Sequence, residues 1–260
     1  MIVQYLKMKV MAIKTSIIKP GENLERFLTV HIKKLPEKSI LVITSKIISF
    51  AQNRLVPVET GERDEKHALT RQEADLYLDP AQSKYDIMLT IKNSLLAVNA
   101  GIDQSNADGQ YVLWPKNLQQ TINQLWQFLR EHFQVGQLGI IVTDSKTMPL
   151  RWGVTGTAIA HCGFEALISK IGTPDIFGKN LEMTQINVME AVGIAAVFEM
   201  GEGNEQQPLA LVSEISQPVR FQDRPPTDTE LSDLVIKPED DVYAPVMMSA
   251  NWRKGGGQHE

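Results

Sequence analysis

The stretch that most constrains this chain is Leu95-Leu96-Ala97-Val98-Asn99-Ala100-Gly101-Ile102-Asp103-Gln104-Ser105-Asn106-Ala107-Asp108-Gly109, where an apolar run ends abruptly in glycine, carboxylate and amide. Leu95 to Val98 has the length and composition of a buried strand, so Asp103 and Asn106 fall on a short loop at its end. Gly101 permits a turn or a close backbone approach to a ligand, and the side-chain oxygens are of the hard kind that divalent cations take. Alone, the same pattern also describes an ordinary strand followed by an Asx-rich turn.

Two further apolar strands repeat the theme. Residues 39–44 run straight into Ser45-Lys46, and residues 138–142 into Thr143-Asp144-Ser145-Lys146. A Ser-Lys pair at the end of a buried strand suits a phosphate contact, lysine as a point charge and serine as a hydroxyl; it is equally the surface start of a helix. Asp103 and Asp144 each lie just past a hydrophobic strand. If both strand ends reach one sheet edge, the two carboxylates can hold a divalent cation between them.

The composition narrows the function classes. With 260 residues, 43% of them hydrophobic, the chain can bury a large core as one domain or two intimately packed ones. A formal charge of -5 with scattered Lys and Arg gives no basic stripe, which argues against nucleic-acid binding. The single Cys162, in Ala160-His161-Cys162-Gly163, excludes an intramolecular disulfide and reads as a buried small residue rather than a reactive thiol. No Gly-x-x-x-x-Gly-Lys-Ser/Thr is present, so phosphate is not held by a P-loop. Residues 1–10 are too interrupted for a signal peptide and no run approaches a membrane span, so a cytoplasmic location is expected.

Along the chain, an opening strand and a Pro20-Gly21 turn precede an amphipathic helix to about Lys34. Residues 59–66 are charged and solvated, 73–77 are expected to be helical, and 85–90 form a strand feeding the one at Leu95. Residues 117–133 show Leu118, Ile122, Leu125, Trp126 and Leu129 at helical spacing. Residues 151–160 are expected to lead a small-residue helix through Gly163 to Ile168, 174–179 to turn tightly, and 184–200 to form a helix ending at Gly201. A loop at 202–205, a strand at 209–212 and a capped short helix after Pro225-Pro226-Thr227-Asp228-Thr229-Glu230 complete the series, and 251–260 read as a mobile tail.

Several pieces in order resemble the coenzyme F-420:γ-glutamyl ligases. They are Thr44-Ser45-Lys46-Ile47-Ile48-Ser49 with Arg54, Asn99 through Asn106, Val142-Thr143-Asp144-Ser145 with Pro149 and Arg151, Thr155 with Ala158-Ile159, Asp175-Ile176-Phe177-Gly178-Lys179, and Met200-Gly201. The resemblance implies an α+β fold with mixed and antiparallel sheets and packed helices, residues 1–250 forming the catalytic region as one unit or two interleaved subdomains, in an intertwined homodimer. It implies a GTP-dependent ligase that joins L-glutamate to a deazaflavin side chain through an acyl phosphate, with two divalent cations, Mg²⁺ or Mn²⁺, on the nucleotide phosphates. Carried over, Asp103 and Asp144 are catalytic metal ligands, Ser145 contacts a second metal, and Glu202 falls where the family places a further ligand. Asn106, Ser45 and Lys46, and more loosely Ser16, Ile17 and Ile18, face the nucleotide.

This chain departs from the family pattern at four places. The usual lysine after the serine of the first motif is Phe50, a glycine and an arginine are replaced by Thr147 and Met148, an aspartate is Gly156, and an acidic pair has become Glu190-Ala191. Two alternatives therefore stand beside deazaflavin ligation: a ligase acting on another carboxylate acceptor, or a non-catalytic nucleotide- or metabolite-binding dimer.

Overall fold

The structure is a computed structural model that describes residues 8–257. The reading of residues 1–7 and of the last three residues lies outside them. Strand β1 (Lys9–Ile13) is followed by the Pro20-Gly21 turn and helix α1 (Leu24–His31), whose cap Asn23 accepts from the Arg26 N–H at 2.7 Å. Strand β2 (Ser39–Thr44) passes directly into helix α2 (Ser45–Ala51). The middle of the chain holds β3 (Leu55–Pro57), α3 (Arg63–Glu73), β4 (Leu76–Tyr77), β5 (Leu89–Lys92), β6 (Leu95–Val98) and β7 (Gln110–Val112). Helix α4 (Leu118–Phe133) and the long strands β8 (Leu138–Thr147) and β9 (Val154–Cys162) follow, then the pair β10 (Leu167–Ser169) and β11 (Gln185–Asn187). Helix α5 (Val188–Met200), β12 (Leu209–Ser213), the short helices α6 (Asp228–Ser232) and α7 (Ala244–Met247), and β13 (Arg253–Lys254) end the series.

The main sheet has the order β1-β12-β2-β8-β9, with β2 and β8 parallel and the other pairs antiparallel. Its two central strands are the apolar runs, and they are buried on both faces, as their unbroken apolar composition requires. Leu41, Ile43, Ile140 and Val142 point into one core with α1, α2 and α4, where Phe27, Ile48, Ile122 and Leu129 are buried. Ile40, Val42 and Ile141 point the other way, onto Val192, Ala196 and Met200 of α5. The result is a mixed α+β architecture in which parallel β2 and β8 deliver Thr44 and Thr143 side by side. A smaller sheet, β13-β4-β5-β6, and the β3-β7 pair carry the intervening segment.

Six expectations are corrected. Residues 154–162 are a strand, not the start of a helix running to Ile168. Their small residues serve sheet-on-helix contact: a Cβ on Gly156 would lie 2.7 Å from Val197 Cβ, and one on Gly193 of α5 lies 3.2 Å from Thr143 Cγ2. Residues 73–77 are not helical: α3 occupies 63–73, the chain leaves it at extended Ala74, and Leu76 pairs with Ile91. Strand β5 begins at Leu89 rather than at 85, and α5 at Val188 rather than 184, because Gln185–Asn187 pairs with β10. Strand β6 is an edge strand with Leu96 exposed, not a fully buried one. At the chain's end, Arg253 and Lys254 pair with β4, and the Gly255, Gly256 and Gly257 N–H groups bond the Asp75, Arg71 and Ala74 carbonyls at 2.8–2.9 Å, so this segment is docked. Among the described residues no helix is long and apolar enough to cross a membrane.

Candidate active site

Where the parallel pairing of β2 and β8 ends, at Thr44 and Thr143, the structure opens a cavity of about 880 Å³. Its walls are residues 15–18 after β1, Thr44, Lys46, Ile47 and Phe50 at the β2–α2 junction, and Asp103, Ser105, Asn106 and Asp108 on the loop before β7. Thr143, Asp144 and Ser145 on β8 and the segment from Met200 to Pro208 complete them. The two sequence-distant carboxylates therefore do converge. The geometry at Asp144 differs from the expected loop: β8 continues past it to Thr147, with a bulge between Val142 and Thr143 that shifts the pairing with β9. A bulge re-aims the side chains beyond it, and here those are Asp144 and Ser145.

Asp103 is held by backbone and side chain together. Its N–H and carbonyl bridge Val112 at 3.1 and 2.8 Å, and its Oδ1 accepts the Gln104 and Ser105 N–H groups at 2.6 and 2.9 Å. Its Oδ2 accepts Lys46 Nζ at 2.6 Å and Ser105 Oγ at 2.7 Å. Burial works to raise its pKa, but the bond and charge of Lys46, with the Ser105 donors, overcome this and hold the carboxyl down at about 2. Lys46 Nζ also donates to the Ser105 carbonyl at 2.6 Å, so the ammonium closes the loop on itself.

Asp144 lies in the opposite electrostatic state. Burial pushes its carboxyl up to about 6, against the Trp114 and Ser145 donors, and the charge of Asp103 adds to the rise. Its Oδ2 accepts Trp114 Nε1 and its Oδ1 accepts the Ser145 N–H at 2.9 Å. Among the described residues no ammonium or guanidinium is hydrogen-bonded to it. Ser145 Oγ in turn donates to Glu202, 2.7 Å from Oε2 and 3.0 Å from Oε1, which brings Glu202 to the same wall. Among the described residues, however, no group of three or more His, Cys, Asp and Glu side chains is gathered as a ready-made metal cage.

The remaining expected residues sort clearly. Asn106, in a left-handed conformation at φ +50°, donates from Nδ2 to the Gly203 carbonyl at 2.9 Å and ties the Asp103 loop to the Glu202 loop. Ser16, Ile17 and Ile18 all line the cavity; Ser16 donates its N–H to His31 Nε2 at 3.0 Å, Ile17 is exposed and Ile18 is buried. Ser45 does not face the cavity: it is 5% exposed, outside the lining, and its carbonyl accepts Ser49 Oγ at 3.1 Å. Thr44 and Lys46 take that wall instead. Arg54 is a buttress, bonded to Glu73 Oε2 at 2.8 Å and to the Trp114 carbonyl at 3.1 Å. Glu190 binds Thr157 Oγ1 and the Ala158 N–H at 2.9 and 3.2 Å, which pins α5 to β9. Cys162 is buried, and burial pushes its thiol up to about 12, which fits an inert core residue. Trp114 is the site residue that sequence reasoning missed; it sits in an apolar run, Tyr111-Val112-Leu113-Trp114, with nothing local to mark its partner.

The family model described as F420-0:Gamma-glutamyl ligase matches residues 12–214. The coenzyme F420:L-glutamate ligase of Methanococcus maripaludis is 25% identical over 255 residues, covering 94% of this chain and all of its own. Those of Methanopyrus kandleri and Methanosarcina mazei are each 28% identical, over 75% and 76% of this chain and 81% and 82% of their own. The matched span runs from Ala12 near the end of β1 through β12 and includes every wall of the cavity. The chain belongs to the F420-0:gamma-glutamyl ligase family, and thereby to the enzymes that form amide bonds.

Proposed function

We propose that this chain uses a nucleoside triphosphate, GTP in the first instance, and divalent Mg²⁺ or Mn²⁺ to join L-glutamate through its amine to a carboxylate on a deazaflavin coenzyme precursor. The observation that carries this reading is the convergence of Asp103, Asp144 and Lys46 in one 880 Å³ cavity at the ends of two parallel strands. Crevices beyond the carboxyl ends of parallel strands are where open α/β sheets take ligands.

The donor set fits a divalent cation. Lys46 Nζ already stands on Asp103 Oδ2 as a cation would, and among the described residues the Asp144 carboxylate has no hydrogen-bonded cation of its own. Ser145 and Glu202 add further oxygens. Magnesium bound with substrate phosphates typically takes only one or two carboxylates rather than a full protein cage, which accords with the absence of a three-carboxylate group among the described residues. When bound, such an ion neutralises charge on the phosphate oxygens.

Amide formation from a carboxylate needs a leaving group. The γ-phosphoryl group passes to the acceptor carboxylate, and the glutamate amine then attacks the acyl phosphate and releases phosphate. This chain's residues bind and orient: Lys46 exchanges Asp103 for a phosphate oxygen, and Asn106 holds the two loops together around the nucleotide. No protein nucleophile is needed.

A homodimer is part of the reading. Leu150, Trp152, Ile176 and Phe177 are each 88% exposed or more, and Phe198 is 84% exposed. So much apolar surface supports self-association, which sedimentation would test. A second reading, another carboxylate acceptor, is favoured by Phe50, whose ring lines the cavity beside Ile47 where the family has a lysine. Incubating the protein with GTP, Mn²⁺, L-glutamate and the deazaflavin acceptor should release phosphate in step with a product one glutamate heavier. Phosphate release only with a different carboxylic acid would select the second reading. No turnover across nucleotides and acceptors would refute both.

A further inference from the structure

Trp114, outside the cavity lining, contacts both Asp144 and the Gly101 backbone that leads to Asp103. It follows β7, is 5% exposed, and its indole Nε1–H donates to Asp144 Oδ2. The five-membered ring of the same indole lies directly against Gly101, so close that a Cβ there would overlap Nε1, Cε2 and Cδ1. Gly101 adopts φ +73° two residues before Asp103, and Asp103 bridges Val112 two residues before Trp114. The Trp114 carbonyl accepts Arg54 Nε, and Arg54 is held by Glu73. The indole thus stands between the Asp103 loop and the Asp144 carboxylate, gripped from behind.

We propose that Trp114 is a positioning residue that sets the separation and orientation of Asp103 and Asp144 for a shared divalent cation and phosphate assembly. This rests on the metal-dependent reading above. An indole N–H can only donate, so it fixes one lone pair of Oδ2 while the Ser145 N–H takes one of Oδ1, and each oxygen keeps acceptor capacity for a cation. Partners behind a metal ligand orient it in this way, and their removal typically weakens binding by about 10- to 100-fold.

The test is Mn²⁺ affinity, read from the paramagnetic resonance signal of free Mn²⁺ with GDP present, for the unaltered protein, Trp114→Phe and Asp144→Asn. Phenylalanine keeps an aromatic ring but loses the N–H and the five-membered ring that lies against Gly101, which is why its melting is compared alongside. A Trp114→Phe protein that melts as the unaltered one does but binds Mn²⁺ about 10- to 100-fold more weakly supports the proposal. Binding as tight as in the unaltered protein, with Asp144→Asn abolishing it, overturns the role of Trp114 and leaves the metal site standing. No Mn²⁺ binding by the unaltered protein overturns the metal reading and this inference with it.

Should Trp114→Phe fail to fold, the indole N–H resonances of the unaltered protein serve instead. The chain has four tryptophans. The Trp114 signal can be assigned by elimination with Trp126→Phe, Trp152→Phe and Trp252→Phe. Mg²⁺ should shift the Trp114 resonance more than the other three and Mn²⁺ should broaden it first. A Trp114 signal that stays still while metal binds would overturn the proposal.

Discussion

Replacing Gly101 by alanine tests the packing on which the cavity depends, and the structure provides its own control. Two glycines in the same segment are left-handed, Gly101 at φ +73° and Gly109 at φ +76°. A Cβ in that conformation costs about 1–2 kcal/mol wherever it is placed. At Gly109 nothing lies within 4 Å of the new methyl, so the backbone term is the whole effect. At Gly101 the methyl overlaps the Trp114 indole, and forcing extra volume into a packed site adds about 1–3 kcal/mol. Gly101→Ala should therefore destabilise by about 2–5 kcal/mol and Gly109→Ala by about 1–2 kcal/mol. Urea unfolding of both variants, checked for equal slopes, measures the difference. Repeating Gly101→Ala in a Trp114→Ala background should remove the excess, because the clashing ring is gone. Equal losses at the two glycines, or an excess that persists without the indole, would refute the geometry.

Three further outcomes follow from the same structure. His161 is 2% exposed with Nδ1 unpartnered, and burial depresses its pKa from 6.5 to about 4 against the raising charge of Glu230. The folded protein thus gains stability from a neutral His161 that is fully present above pH 6.5 and is lost as pH falls through 4, in total about 3 kcal/mol; His161→Leu should flatten unfolding curves across that window, and an unchanged slope would exclude this source of acid sensitivity. Lys46→Met removes the ammonium that occupies Asp103, so Mn²⁺ without nucleotide should bind more tightly while GTP binds more weakly; a loss of both affinities would show that Lys46 does not compete for the carboxylate. Ending the chain after Trp252 deletes the β13–β4 pairing and the three glycine N–H bonds to the end of α3. Faster amide exchange at residues 74–78 should result, and unchanged protection there would show that the docked segment contributes nothing.

How far the sequence could be read depends on whether the deciding contact is local. Strands β2 and β8 were legible because each is apolar along its buried length, and α4 because Leu118, Ile122, Leu125, Trp126 and Leu129 repeat at the helical interval. The cap of α6 was legible too, with Thr227 and Glu230 bonding each other's backbone N–H groups at 3.2 and 2.7 Å. Strand β9 was not, because Ala158 and Ala160 favour a helix and offset the strand preference of Val154, Thr155, Thr157 and Ile159. What decides is that Gly156 meets Val197, 41 positions later, and that β8 is its only possible ladder partner in the main sheet.

The same distinction governs the cavity. Asp103 and Asp144 could be nominated from their places at strand ends, since a carboxylate just beyond an apolar strand is visible in any sequence. Their opposite electrostatic states could not be, because both are set by groups far along the chain. Lys46 reaches Asp103 across 57 positions and Trp114 reaches Asp144 across 30. One carboxylate thereby receives a full cation and the other only neutral donors. A divalent ion entering this cavity would meet at Asp144 a carboxylate with no hydrogen-bonded cation among the described residues, and at Asp103 a competitor, Lys46, that must first move. Binding should therefore proceed from the Asp144 side, with phosphate drawing Lys46 away from Asp103. That order predicts that nucleotide and metal bind with positive coupling: Mn²⁺ affinity should rise when GDP is present in the unaltered protein, and the rise should be smaller in Lys46→Met, where only direct phosphate ligation remains. A metal affinity indifferent to nucleotide in both proteins would mean that the ammonium is not the gate.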